Sequence, residues 1–376
     1  MPHKATLKEI ATLFLKLGTI GFGGPAAHIA MMQDEVVNKR KWLTEQHFLD
    51  LIGATNLIPG PNSTEMAIHI GHEKGGWKGL TVAGLCFILP AVIITGIFAF
   101  LYKQYGHLPE VQPFIYGIKP AIIAIILGAI FPLAKKSLKS TQLLFIGIVV
   151  LIGALFSINE IYLMFGAGFF ALFLAYVRNS KSNNLNSFLP LTLLSITNST
   201  FLAATNANLF WIFLKIGAIL YGSGYVLFAF LDTELVAPGL LTRQQLIDAI
   251  AVGQFTPGPV FSSVTFIGYQ MNGFTGAIIS TIAIFLPSFA FVALLNPIVK
   301  KMRSSKLFSA FLDAVNVASV AIIVAICFVM GKDTITDWRT ILIAGLSIAI
   351  AFGYKKLNSA FVVLGGSLIG YLLTSG

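Results

Sequence analysis

From Gly79 to Tyr102 the chain runs without one charged side chain, and from Gly276 to Val299 it does so again. As helices, these stretches exceed the roughly 20 residues needed to cross the hydrocarbon core of a bilayer. That length constrains the fold more than any other feature, because such a helix, apolar all round, has to be buried in lipid or in a large core. Composition decides between the two. The 376 residues are 56% hydrophobic and only 11% charged, with a mean hydropathy of +0.84, whereas soluble domains carry about 25% charge. The sequence therefore reads as an integral membrane protein. A net charge of +10 would suggest nucleic acid in a soluble chain; here the cations gather between apolar segments, as in cytoplasmic loops, and nucleic acid is discounted. Cys86 and Cys327 lie inside apolar runs and read as small buried hydrophobes. The N-terminal stretch has no small-residue cleavage site behind an apolar run, so no removable signal peptide is expected.

The chain repeats itself. "FLKLGTIGFGG" from Phe14 returns as "FLKIGAILYGSG" from Phe213, pairing Lys16 with Lys215, Gly18 with Gly217 and Gly23 with Gly222. "WLTEQHFLD" returns as "LLTRQQLID", pairing Thr44 with Thr242 and Asp50 with Asp248, while Glu35 falls opposite Glu234. "NLIPGP" returns as "QFTPGP", and "GWKGLTVAGLCFILP" as "GFTGAIISTIAIFLP". The spacing predicts a first membrane repeat over 1–177, a polar linker over 178–207 and a second repeat over 208–376.

Crossings are expected near 12–32, 79–102, 114–132, 142–158 and 161–177, and again near 209–231, 276–299, 312–330, 340–354 and 358–373. The segments 48–70 and 246–269 are too short for two crossings and too broken for one, so each reads as a re-entrant helical hairpin that enters and leaves on one side. An odd number of spans per half turns the second copy upside down. The expected fold class is an all-α polytopic membrane protein built from two inverted repeats, each of about five spanning helices and one re-entrant hairpin. Lysine and arginine crowd the loops of one side, which the positive-inside rule makes cytoplasmic; both termini then face outward.

Interrupted backbone at membrane depth is tolerated only where it lines protein or a water-filled cavity. Pro59, Gly60 and Pro61, and their copies Pro257, Gly258 and Pro259, therefore mark a candidate site, with Asn56 and Gln254 just before them. Proline suits the first turn of a helix, so Pro61 and Pro259 are expected to open each second arm with its free amides pointing at mid-membrane. Such an end attracts anions. Asn62, Ser63 and Thr64 in one copy, and Ser262 and Ser263 in the other, add short donors suited to a multi-oxygen ligand. The breaks at Gly23, Gly24 and Pro25, and at Gly222 and Gly224, read in two ways: as close helix packing, or as unwound turns whose amides face the same cavity.

Lys16 and Lys215 sit at equal depth in equivalent helices, either flanking one central site or snorkelling to the headgroups. Lys119 is a further candidate, although Asn316 stands at its copy. Glu65, matched by Ser263, is either a proton-coupling group or the polar end of a hairpin arm. Asp50 and Asp248 suggest capping or lysine pairing, and Glu35 and Glu234 solvated or ion-paired roles. His69 and His72 have no cysteine or second carboxylate nearby, so neither a metal nor another cofactor is expected.

At "FLKLGTIGFGGPAAHIAMM", "KWLTEQHFLDLIGATNLIPGPNSTEMAIHIG" and "GLCFILPA", with the echo "GQFTPGPVFSSVTFIGY", the sequence closely resembles the chromate ion transporter family in its two-domain, long-chain form. Gly23, Gly24, Pro25, Asn56, Pro59, Gly60 and Pro61 match the motif positions of that family. The resemblance implies a transporter of the cell membrane that exports chromate, with sulfate as the structural look-alike, and no enzymatic activity. The expected partners are a chromate- or sulfate-like dianion and the bilayer, and a homodimer is the assembly considered. Uptake or exchange of sulfate or another oxyanion is the alternative; an intramembrane enzyme and a passive anion channel are the more distant ones. Ser63 and Glu65 lack a nearby arginine or matching histidine for enzyme chemistry.

Overall fold

A computed structural model describes residues 5–22, 24–179, 205–221, 224–353 and 359–374. Gly23, Gly222 and most of the expected linker, 180–204, lie outside them. Among the described residues every regular element is a helix, and five helices are long and apolar enough to cross a membrane. Helices stand at each of the expected crossings.

The first half opens with α1 (Leu7–Ile20) and α2 (Gly24–Gln33), separated by the glycine break and followed by a π-helical turn, Asp34–Lys39. Thr6 caps α1 in a reciprocal box with Glu9, which satisfies amides that a helix start otherwise leaves unpaired. The hairpin follows as α3 (Glu45–Thr55), capped by Thr44, and the start of α4 (Asn62–Tyr105). α4 is two helices joined at Gly76, whose φ of 59° is open to glycine but strained for other residues. The chain doubles back there. A methyl group on Gly71 would strike the Gly79 carbonyl, although residues eight apart in a straight helix lie about 12 Å from each other. Then come α5 (Gln112–Ser137), α6 (Thr141–Leu155) and α7 (Glu160–Asn179).

The second half repeats this order: α8 (Asn206–Ile219), α9 (Val226–Leu231) with a π-helical turn Asp232–Val236, α10 (Arg243–Phe255), α11 (Ser263–Ser304), α12 (Lys306–Thr334), α13 (Trp338–Gly353) and α14 (Ser359–Thr374). Thr205 caps α8 and Thr242 caps α10. α11 doubles back at Gly273, φ 62°, as α4 does at Gly76. Helices take both ends of the expected linker, since α7 runs to Asn179 and α8 begins at Asn206.

Small residues set the packing, as lipid supplies little hydrophobic drive between helices. α1 lies on α4 because Gly18 has no side chain to meet the Phe87 carbonyl, and α8 lies on α11 because Gly217 has none to meet that of Ile284. Other contacts cross between halves. α4 packs on α11; α5 packs on α13 and α14, where Gly117 abuts Gly366 and Gly370; and α12 packs on α6 and α7, where Gly168 faces Phe311. The halves are interleaved around α5 and α12, which also touch each other.

Candidate functional site

Each hairpin ends in a turn buried inside the bundle. Pro59, Gly60 and Pro61 are buried, as are Pro257, Gly258 and Pro259. The Gly60 amide donates to the Leu220 carbonyl at 2.7 Å, and the Gly258 amide donates to the Gly21 carbonyl, also at 2.7 Å. Gly21 closes α1 and Leu220 closes α8, so both acceptors are helix-end carbonyls, a class without an intrahelical donor. Each tip thus satisfies the broken helix of the other half. The neighbours repeat as well: a methyl on Gly60 would meet Ser288 Oγ at 2.7 Å, and one on Gly258 would meet the Ala91 side chain, the repeat partner of Ser288, at 2.9 Å.

These two amides are therefore committed to carbonyls. The open donors lie one step further on. Asn62 and Ser63 start the second arm of the first hairpin, and amides of that first turn have no carbonyl behind them in the helix. Asn62 Nδ2 donates to Asn56 Oδ1 at 2.9 Å, closing the mouth of that hairpin. In the other copy Ser262 Oγ accepts from Thr95 Oγ1 at 3.4 Å, and the Tyr225 hydroxyl lies 3.5 Å from Gln254 Oε1, leaving Gln254 Nε2 without a partner among the described residues. The glycine breaks adjoin this cluster: a methyl on Gly24 would stand 3.8 Å from the Tyr225 hydroxyl, and one on Gly224 would stand 3.5 Å from Val260. Thr64 Oγ1, Ser263 Oγ, Ser288 Oγ and both Glu65 oxygens also lack partners among the described residues. Ser288 stands beside Glu65 without the geometry of a hydrogen bond. Buried polar atoms are normally paired, so this concentration of uncommitted ones, where both tips and both breaks converge, marks the candidate site.

The model of the family described as "Chromate transporter" matches residues 8–172 and, a second time, 207–371. The chain belongs to the chromate transporter family. A chromate transport protein of Cupriavidus metallidurans is 33% identical over 372 residues, covering 97% of this chain and 92% of the relative. A probable chromate transport protein of Synechococcus elongatus is 30% identical, covering 98% and 96%, and a chromate transport protein of Pseudomonas aeruginosa is 28% identical, covering 99% and 94%. No solved structure matches the chain.

The paired lysines of this family member hold carboxylates. Lys16 Nζ lies 2.8 Å from Glu35 Oε1 and Lys215 Nζ lies 2.6 Å from Glu234 Oε2. Glu35, past the end of α2, also meets Lys39 at 3.3 Å and Arg40 at 3.4 Å. The hydrogen bond from Lys16 holds its carboxyl below the usual carboxylate range, against the opposing effect of burial. One donor of each ammonium is thus used, and two remain. Lys119 lies 3.9 Å from Asp248, which also accepts from the Tyr102 hydroxyl at 2.6 Å and from Gln244. His69 is buried with neither ring nitrogen partnered among the described residues, while His72 packs edge-on against Trp77. Among the described residues no three His, Cys, Asp or Glu side chains come together as metal ligands.

Sequence reading missed Ser288, Thr95, Tyr225 and the carbonyls of Gly21 and Leu220. Ser288 carried a signal: it follows Pro287 as Ala91 follows Pro90, one step past a stretch already paired between the halves.

Proposed function

We propose that this multi-pass protein of the cell membrane carries chromate, a tetrahedral dianion, out of the cytoplasm, and that the dianion binds where the two hairpin tips meet the two helix breaks. Membership in the family supports the cargo. The observation that carries the site is the reciprocal pair of hydrogen bonds, Gly60 to Leu220 and Gly258 to Gly21, which ties both interrupted elements of both halves to one buried locus. Desolvating a dianion is prohibitive unless fixed donors replace its water. The first amides of α4, the hydroxyls of Ser63, Thr64, Ser262 and Ser263, and Gln254 Nε2 offer that shell. Lys16 and Lys215 add positive charge from either side while anchored to Glu35 and Glu234. Glu65 is the candidate for proton coupling.

The two halves act as inverted repeats, and transport is alternating access by rocking one set of broken helices against the interleaved bundle. An inside-negative potential assists outward movement of a dianion by roughly 2.3 kcal/mol per charge per 100 mV, so proton exchange is not obligatory for export.

Radiolabelled chromate uptake into inverted vesicles tests this reading. Saturable uptake is expected in the wild type, reduced on the order of tenfold in Gln254→Leu, because a hydrogen bond to a charged group contributes about 1.5–3 kcal/mol. Normal uptake by Gln254→Leu would remove the site from the tips. Sulfate that competes more strongly than chromate would change the cargo, and uptake confined to right-side-out vesicles would reverse the direction.

A further inference from the structure

Away from the hairpin tips, the turn that reverses α4 carries a charge arrangement that lies outside the proposed transport site. A cavity of ≈ 460 Å³ opens there, lined by Ala5, Leu7, His72, Glu73, Lys74, Gly75, Gly76 and Lys78. Lys74 is 5% exposed, yet its ammonium makes no ion pair or hydrogen bond among the described residues. Among the described residues the one carboxylate in the lining, Glu73, lies 3.5 Å from His47 and attracts Lys74 without an ion-pair contact. The positive-inside rule accounts for solvated lysines such as Lys78. It does not account for Lys74, which is packed among its neighbours and lines this cavity without a bonded carboxylate among the described residues.

Two further features point at what the counter-ion is. Past Gly76 the chain restarts a long helix, so its first amides and positive dipole end face the same space. Nothing lies within 4 Å of a methyl built on Gly76. The rim carries exposed apolar groups: Trp77 is 64% exposed and Leu7 40%, which suits the level of the headgroups. The repeat supplies an internal contrast. At the matching turn Met271 stands for Lys74 and Thr275 for Lys78, so the fold needs the reversal but not the cations.

We propose that the cleft at the Gly76 turn binds a phosphate group, supplied by the headgroup of an anionic phospholipid, with Lys74 as its buried counter-ion and Lys78 as a second, exposed one. Basic pockets between helices on the lysine-rich side are a known setting for such headgroups. The site stands apart from the transport reading and its test does not use chromate.

Purified full-length protein in detergent would be titrated with short-chain phosphatidylglycerol, short-chain phosphatidylcholine and inorganic phosphate, following tryptophan fluorescence, for wild type, Lys74→Gln, Lys74→Arg, Lys78→Gln and the distant Lys135→Gln. Saturable binding of phosphatidylglycerol and not of phosphatidylcholine is expected, weakened roughly five- to tenfold in Lys74→Gln, retained in Lys74→Arg and unchanged in Lys135→Gln. Equally tight binding of inorganic phosphate, lost in Lys74→Gln, keeps the site and makes its source a soluble anion. Identical affinity for the two lipids, or identical binding by wild type and Lys74→Gln, overturns the proposal. Should Lys74→Gln fail to fold, Lys78→Gln has to bind more weakly than Lys135→Gln, and equality of those two overturns it as well.

Discussion

The first-half and second-half hairpins share a plan and differ in their surroundings. All six residues of α9 are buried, and α9 packs on α12; α10 packs on α5 and α14 and buries most of its length. In the first half only His28 and Met32 of α2 are buried, and α3 rests on α4 and α11. Yet the tips themselves are matched, amide to carbonyl, in both directions. The centre is symmetric and the flanks are not. Under the alternating-access proposal this is one of two states, with the second-half elements held against the interleaved bundle and the first-half elements released. The opposite state exchanges the two environments.

The largest expected effect lies at the contact that holds α10 in place. Asp248 is 4% exposed and faces Tyr102, Gln244 and Lys119. Its repeat partner Asp50 is half-buried, beside Gln46 at 3.4 Å. Asp248→Ala strands the half-buried Lys119 ammonium and removes the acceptor of the Tyr102 hydroxyl, and is expected to cost about 3 kcal/mol, whereas Asp50→Ala stays within roughly 0.5–1 kcal/mol. Unfolding titrations of the purified variants measure both. Equal losses would mean that the two flanks are alike after all. Pairing Lys119→Met with Asp248→Leu should recover part of the loss, since removing both charges is milder than removing one.

A smaller effect separates the two tips. Gly258 has φ 88° and Gly60 φ 132°, so any side chain is strained at either. The obstacles differ in kind. A methyl on Gly258 meets Ala91 at 2.9 Å and the backbone carbonyl of Gly18 at 3.3 Å, both fixed to helices, while one on Gly60 meets side-chain atoms alone, those of the Glu65 carboxyl and Ser288 Oγ at 2.7 Å, which side-chain rotation can move. Gly258→Ala is expected to cost about 2–3 kcal/mol and Gly60→Ala about 1–2 kcal/mol, read as melting shifts. Ala91→Gly should relieve part of the first. A Gly60→Ala variant that melts lower than Gly258→Ala would show that the Glu65 and Ser288 side chains are held rigidly.

The elements of this fold were legible because their punctuation is chemical. Pro59 to Pro61, the glycines after Lys16 and the uncharged runs mark hairpins, breaks and spans, and each recurs in the second copy. What was not legible is which elements touch. Helices that are apolar all round carry no stripe that selects a neighbour, and in lipid hydrophobicity does not select one either; that α5 lies against α13 and α14 follows from small residues such as Gly117 and Gly366, whose meeting no local pattern reveals. The crossed bonding of tips and breaks was hidden for the same reason. The ion pairs were hidden less deeply. Lys16 precedes Glu35 by the same 19 residues that separate Lys215 from Glu234, and a spacing kept in both copies of a repeat is a contact signal.

That shared spacing sets up the smallest effect and the finest distinction. Glu35 has three cations around it, Lys16, Lys39 and Arg40, whereas Glu234 has Lys215 alone among the described residues. The Lys16 side chain is 49% exposed and that of Lys215 26%. Lys16→Ala leaves its carboxylate compensated by Lys39 and Arg40 and should cost at most about 0.5 kcal/mol; Lys215→Ala leaves Glu234, its side chain only 14% exposed, without a cation among the described residues and should cost about 1–2 kcal/mol. Chromate flux into inverted vesicles then separates structure from transport. If the lysines only hold their carboxylates, flux follows stability and Lys16→Ala is nearly normal. If both ammonium groups face the dianion, each variant loses flux to a similar degree despite unequal melting, and Lys→Arg at either position restores it. Normal flux in both variants would leave the amides and hydroxyls of the tips as the whole of the anion's shell.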